Sequence, residues 1–148
     1  MIVDSSALPE QAVSDIVESA FQSAGQRCSA LRLLCVQDEI YDRIVTMLKG
    51  AMDMLVVGDP SLLATDVGPL IDETALENLQ AYSQQLQSNG QLLHQSPVDS
   101  EATVHGHFLA PTLFGVDSVA AVDREMFGPL LHVMRFKLDD LPLSLIHI

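Results

Sequence analysis

The chain is poor in positive charge: seven Lys and Arg stand against twenty Asp and Glu, for a formal net charge of -13 at neutral pH. Such a surface repels phosphate backbones and offers no basic stripe, which excludes nucleic acid as a partner of this segment. Cysteine is scarce as well. Cys28 and Cys35 are the two in the chain, too few for a disulfide framework and without the paired short spacing of a zinc site, so each is read as a single thiol. No apolar run nears the roughly 18 residues needed to cross a bilayer, and Met1-Ile2-Val3-Asp4 lacks the basic start and apolar stretch of a secretory signal, which predicts a cytoplasmic protein. Gly-x-Gly-x-x-Gly and Walker-type spacings are missing too, so the segment is not expected to cradle a dinucleotide with its own glycines.

What is there is apolar. Of the 148 residues 48% are hydrophobic and the mean hydropathy is +0.26, enough for one sizeable core and a single domain. Val13, Ile16, Val17, Ala20, Phe21 and Ala24 recur at three- and four-residue steps behind Pro9 and ahead of Gly25, which predicts a helix over 9–24. A strand-length run over 31–36 follows, and Asp38 opens a second helix reaching about residue 55. Gly58-Asp59-Pro60 and Gly68-Pro69 punctuate a surface connection. Asp72 caps a third helix through residue 89, with Gly90 ending it before a short strand at Leu92 and Leu93. The apolar runs 108–114 and 130–136 read as further strands, so the expected class is an α/β sheet with helices on both faces.

Two places draw attention for chemistry. Cys35 lies inside an apolar run and is read as structural. Cys28 is flanked by Arg27 and Ser29 on a short loop between helix and strand, where a thiolate can attack a carbonyl and a nearby Arg27 charge would lower the thiol pKa. A lone cysteine is more often a small core residue, Ser29 alone is an ordinary loop serine, and Glu125 beside Asp123 and Arg124 is an ordinary solvated acid. His105 and His107, two apart, could share one side of a strand, but no further ligands can be placed and no metal is expected.

The pattern Phe-x-x-x-Gly-Gln-x-Cys, here Phe21 to Cys28, resembles the cysteine signature of the aldehyde dehydrogenase superfamily. Gly25-Gln26-Arg27-Cys28-Ser29-Ala30 is similar to the version in glutamate semialdehyde dehydrogenases of the proline utilization A type. Downstream, Glu125-Met126-Phe127-Gly128-Pro129 resembles the superfamily's Glu-x-Phe-Gly-Pro block, and the likeness extends from Met1 to about Leu138.

The resemblance implies an incomplete, cysteine-bearing catalytic domain over 1–140, a mostly parallel sheet flanked by helices, followed by an uncharged apolar tail at 141–148 that looks foreign or truncated. It implies Cys28 as the catalytic nucleophile, with its own backbone N–H as one oxyanion donor, and Ser29 as a binder of the substrate carboxylate. It implies Glu125 on the ribose hydroxyls of NAD, with Phe127 as an apolar flank. The small-molecule substrate would be glutamate γ-semialdehyde. The parent would be a homo-oligomer, with a proline dehydrogenase domain in the same chain and a peripheral place at the inner membrane left open, as is NADP in place of NAD. The general base, the dinucleotide domain, an upstream asparagine and a downstream loop are expected outside these residues, so the chain alone is expected to be inert. An aldehyde dehydrogenase of another substrate range and a non-catalytic acidic interaction module with a buried Cys28 remain the alternatives.

Overall fold

The computed structural model describes residues 1–122 and 124–140; the tail expected at 141–148 lies outside them. Strand β1 (Ile2–Val3) leads into helix α1 (Pro9–Phe21). Strand β2 (Leu33–Gln37) runs directly into α2 (Asp38–Asp53), and after the long connection come α3 (Glu73–Ser88), β3 (Leu92–Gln95), β4 (Thr112–Gly115) and β5 (Leu130–Phe136). The five strands form one sheet in the order β1-β2-β5-β4-β3. Pairings β1/β2, β2/β5 and β4/β5 are parallel, and β3/β4 alone is antiparallel. This is the mostly parallel α/β sheet flanked by helices that the sequence implies.

The central strand explains the arrangement. Leu130, Leu131, His132 and Val133 are all buried, as expected where both faces of a parallel strand are covered. In β2 Leu34 and Val36 are wholly buried while Leu33 and Cys35 are half-buried, the period of two that a strand imposes. Cys35 is thus a strand residue in partial contact with solvent, and burial pushes its thiol pKa up. Helix α1 packs Val13, Ile16, Ala20 and Phe21 on the sheet, and α2 packs Ile44, Leu48 and Met52. Helix α3 begins where expected, with Asp72 Oδ1 accepting the Ala75 N–H at 2.7 Å.

Four expectations shift. The first helix ends at Phe21, because Gln22–Gly25 tighten into a 3-10 turn in which Ser23, Ala24 and Gly25 all have positive φ (57°, 52° and 66°). The run 108–114 is strand only from Thr112. Pro111 has no N–H to donate, and its carbonyl is taken by the Ser96 N–H instead, so 108–111 approach the sheet as irregular chain. His105 and His107 therefore share no strand; the His107 carbonyl accepts the Leu70 N–H at 2.7 Å, and among the described residues no group of three metal-capable side chains forms. The connection 56–71 is not wholly superficial: Leu63 is fully exposed, but Val57, Val67 and Leu70 enter the core. Among the described residues no helix is long and apolar enough to cross a membrane.

Candidate active site

Cys28 is exposed, and its position is built from the backbone outward. The left-handed turn at Ser23-Ala24-Gly25 reverses the chain at the end of α1. The Gln26 N–H then returns to the Ser23 carbonyl, and the Ala30 N–H to the Arg27 carbonyl at 3.1 Å. The second of these bonds closes a four-residue turn whose two central residues are Cys28 and Ser29. Both are exposed at its tip, and among the described residues the thiol makes no hydrogen bond. Leu31 N–H bonds back to the Ser19 carbonyl at 3.0 Å, fixing the exit of the loop against α1.

Ordinary L residues are costly at positive φ, about 1–3 kcal/mol each, so Ser23 and Ala24 hold that conformation against their own preference. Gly25 is required for a second reason. A Cβ there would stand 2.1 Å from the Gly128 carbonyl oxygen, so the glycine of the cysteine motif lies directly against the glycine of the Glu125-Met126-Phe127-Gly128-Pro129 block. The two segments that the sequence singles out are neighbours in space.

Arg32 bridges them. Its Nη2 donates to the Arg27 carbonyl at 2.9 Å and the Gly25 carbonyl at 3.5 Å, and its Nη1 to the Ala30 carbonyl at 2.8 Å. From the same guanidinium Nε donates to the Met126 carbonyl at 3.0 Å, Nη1 lies 3.4 Å from Glu125 Oε1, and Cζ sits over the Phe127 ring, 4.4 Å from its centroid. Glu125 is 55% exposed against 13% for Arg32, and Phe127 is half-exposed. A carboxylate and a ring are thereby presented beside the thiol loop.

Three further residues brace this site. Gln26 donates through Nε2 to the Pro69 carbonyl at 3.2 Å and accepts the Ile71 N–H through Oε1 at 2.9 Å, tying the Gly68-Pro69 turn to the cysteine loop. Buried His132 donates from Nδ1 to the Arg32 carbonyl at 2.9 Å. Since a carbonyl can only accept, Nε2 is the acceptor for the Tyr82 hydroxyl at 3.0 Å. Burial holds the His132 pKa below its ordinary value, with the bond to the Arg32 carbonyl opposing in part. Arg27 turns back to the end of α1, where Nη2 reaches the Glu18 carbonyl at 3.4 Å, while its buried Nε has no hydrogen-bond partner among the described residues.

An open cavity of about 340 Å³ touches Ser29, Arg27 and Glu18. A roomier one of about 580 Å³, between α1 and residues 65–67, contains none of Cys28, Ser29, Glu125 or Phe127, so size does not mark the chemistry here. Sequence reasoning singles out Cys28, Ser29, Glu125 and Phe127; it quotes Gln26 within the cysteine motif without giving it a role, and it does not mark Arg32 or His132. The available signal was Arg32 itself, a lone charge inside Ala30-Leu31-Arg32-Leu33-Leu34 that burial obliges to find partners.

Residues 1–143 match the profile of the Aldehyde dehydrogenase family. Bifunctional protein PutA of Klebsiella aerogenes is 48% identical over 145 residues, covering 95% of this chain and 11% of that protein. A 1-pyrroline-5-carboxylate dehydrogenase of Geobacillus kaustophilus is 34% identical over 133 residues, covering 88% and 25%. The crystal structure of a Bradyrhizobium japonicum proline utilization A variant superposes with a TM-score of 0.91 at 42% identity over 99% of this chain and 15% of that one. The chain thus spans about a tenth of the length of such bifunctional relatives. With the profile matched almost end to end and the cysteine and Glu-x-Phe-Gly-Pro motifs brought into contact, the chain belongs to the aldehyde dehydrogenase family.

Proposed function

We propose that this chain is the cysteine-bearing part of an NAD-dependent dehydrogenase that oxidises L-glutamate γ-semialdehyde to L-glutamate in proline degradation. The observation that carries the reading is the exposed Cys28 at the tip of a turn held against Glu125 and Phe127. Similarity to PutA proteins and to 1-pyrroline-5-carboxylate dehydrogenases supports the substrate. Glu125 offers two carboxylate oxygens, of which Oε1 faces Arg32, and Phe127 adds an apolar surface beside them. That pairing suits the ribose end of NAD, and these two residues would hold it there. When bound, the cofactor supplies the oxidant, accepting a hydride from the substrate carbon.

The chain's own work is nucleophilic. Cys28 Sγ, as thiolate, forms a bond to the aldehyde carbon while the carbonyl electron pair moves onto oxygen, giving a thiohemiacetal oxyanion that the Cys28 backbone N–H stabilises. Loss of hydride leaves a thioester on Cys28. Water then adds to its carbon, its protons passing to a base expected outside these residues and to solvent, and cleavage of the C–S bond returns the thiolate and releases the carboxylate. Ser29, exposed next to Cys28 at the tip, would bind the substrate carboxylate. The alternative of an acidic interaction module requires a buried Cys28, which is not what the structure holds.

The test is NADH formation from glutamate semialdehyde by a polypeptide extended at both ends to the length of its relatives, beside its Cys28→Ala variant. Activity abolished by the substitution is the expected result; equal background in two folded proteins would overturn the reading. A homo-oligomeric parent, a proline dehydrogenase domain on the same chain and inertness of the 148 residues alone belong to the same proposal. PutA relatives described as bifunctional support the second of these.

A further inference from the structure

A guanidinium has five N–H groups in one rigid plane. In Arg32 four of them are hydrogen-bonded, Nε to Met126, Nη1 to Ala30 and Nη2 to Arg27 and Gly25, and a fifth acceptor group, the Glu125 carboxylate, lies 3.4 Å from Nη1 as an ion pair. Three of these acceptors belong to the loop that carries Cys28, on both sides of the thiol, and two to the segment that carries Glu125 and Phe127, more than ninety residues away in the chain. We infer that Arg32 is a positioning residue for the proposed reaction, a single planar fork that fixes the nucleophile's turn and the cofactor-holding segment in one mutual geometry. The inference rests on the roles proposed above for Cys28 and Glu125.

The site separates this role from general folding. The Arg32 carbonyl is held independently, accepting both the backbone N–H and Nδ1 of His132 at 2.9 Å each, so removing the side chain leaves the main-chain entry to β2 and its pairing with β5 in place. A lysine is no substitute. Its three donors sit on one nitrogen and cannot reach carbonyls spread around a plane.

Arg32→Lys and Arg32→Ala, made in the polypeptide extended to the relatives' length, test this. Both are expected to lower kcat about 10²-fold, the scale of a misplaced reacting group, and to raise the KM for NAD. Millimolar guanidinium ion should restore kcat to Arg32→Ala, whereas methylammonium at equal ionic strength should not. Activity preserved by lysine, or kcat and KM unchanged in either variant, would overturn the inference. Amide exchange reads the geometry without activity. The Ala30 and Leu130 N–H groups, bonded to the Arg27 and Gly128 carbonyls, should exchange faster while β2 and the rest of β5 beyond Leu130 keep their protection. Protection lost throughout the sheet in both variants would make Arg32 a general fold residue and overturn it as well. If the unsubstituted enzyme shows no Cys28-dependent NADH formation, the functional reading fails while the exchange result still reports on the fork.

Discussion

The two segments that meet at the candidate site are held by opposite means. The cysteine turn is held mostly by nearby residues of the chain: it combines a left-handed reversal at Ser23-Ala24-Gly25, two short-range backbone bonds, an exit fastened to α1 and the Arg32 bonds to the carbonyls of its own loop. The Glu125-Met126-Phe127 stretch has no regular structure and takes its position from Arg32, with Gly128 against Gly25 behind it. The proposed nucleophile, whose backbone N–H would serve as an oxyanion donor, needs local rigidity. A carboxylate proposed to admit a cofactor can be placed by a side chain from outside. The contrast predicts that damage to the turn shows first as lost stability, and damage to the second segment as lost binding.

The largest effect should come from the point where the two regions touch. Gly25→Ala puts a side chain at φ +66° and 2.1 Å from the Gly128 oxygen. Backbone strain and steric overlap together should cost roughly 3 kcal/mol or more, read as a lower urea midpoint. Next comes the buried support below Arg32. His132→Leu removes the side-chain bonds to the Arg32 carbonyl and the Tyr82 hydroxyl, which should cost about 1–3 kcal/mol.

The same histidine gives stability a pH dependence. Its folded pKa lies below the ordinary value of 6.5, so the unfolded chain takes up a proton at a higher pH than the folded one. Stability from this group is therefore full above about pH 6.5, falls as pH drops through that value, and levels off once the folded form protonates too. Urea midpoints compared between pH 7.5 and pH 5.5 should shift less in His132→Leu than in the native sequence; equal shifts would remove His132 as the cause.

The smallest effect on folding should be that of Glu125→Gln. A 3.4 Å ion pair with one partner 55% exposed contributes at most about 1 kcal/mol, so the urea midpoint should barely move. The KM for NAD in the extended polypeptide should nevertheless rise. A clear loss of stability with unchanged KM would reverse the comparison and make Glu125 a structural partner of Arg32.

The parts legible in the sequence were those with a strong local signature. Strand β5 was legible because its apolar run is continuous, and α3 because Asp72 caps it. Cys28 and Glu125 were legible through motif spacing, not through their surroundings. Strand β1 escaped notice because two residues carry no period, and its identity depends on β2 pairing with it. Phe108 to Ala110 misled because an apolar run reads alike whether it joins a ladder or packs as irregular chain, and Pro111 decided the matter. Arg32 was legible as a lone charge in an apolar run that needs partners, but not which partners it takes, because most of them are carbonyl oxygens, which every residue possesses and no pattern marks.

The link between Arg32 and His132 joins positions 100 residues apart, and it also governs when the site can exist. During synthesis the cysteine turn emerges long before β5, and closing so long a loop is among the slower steps of folding. Until β5 inserts between β2 and β4, the fork on Arg32 has only the carbonyls of its own loop to hold. The thiol is therefore present early, while the geometry proposed to direct it toward an aldehyde is assembled last.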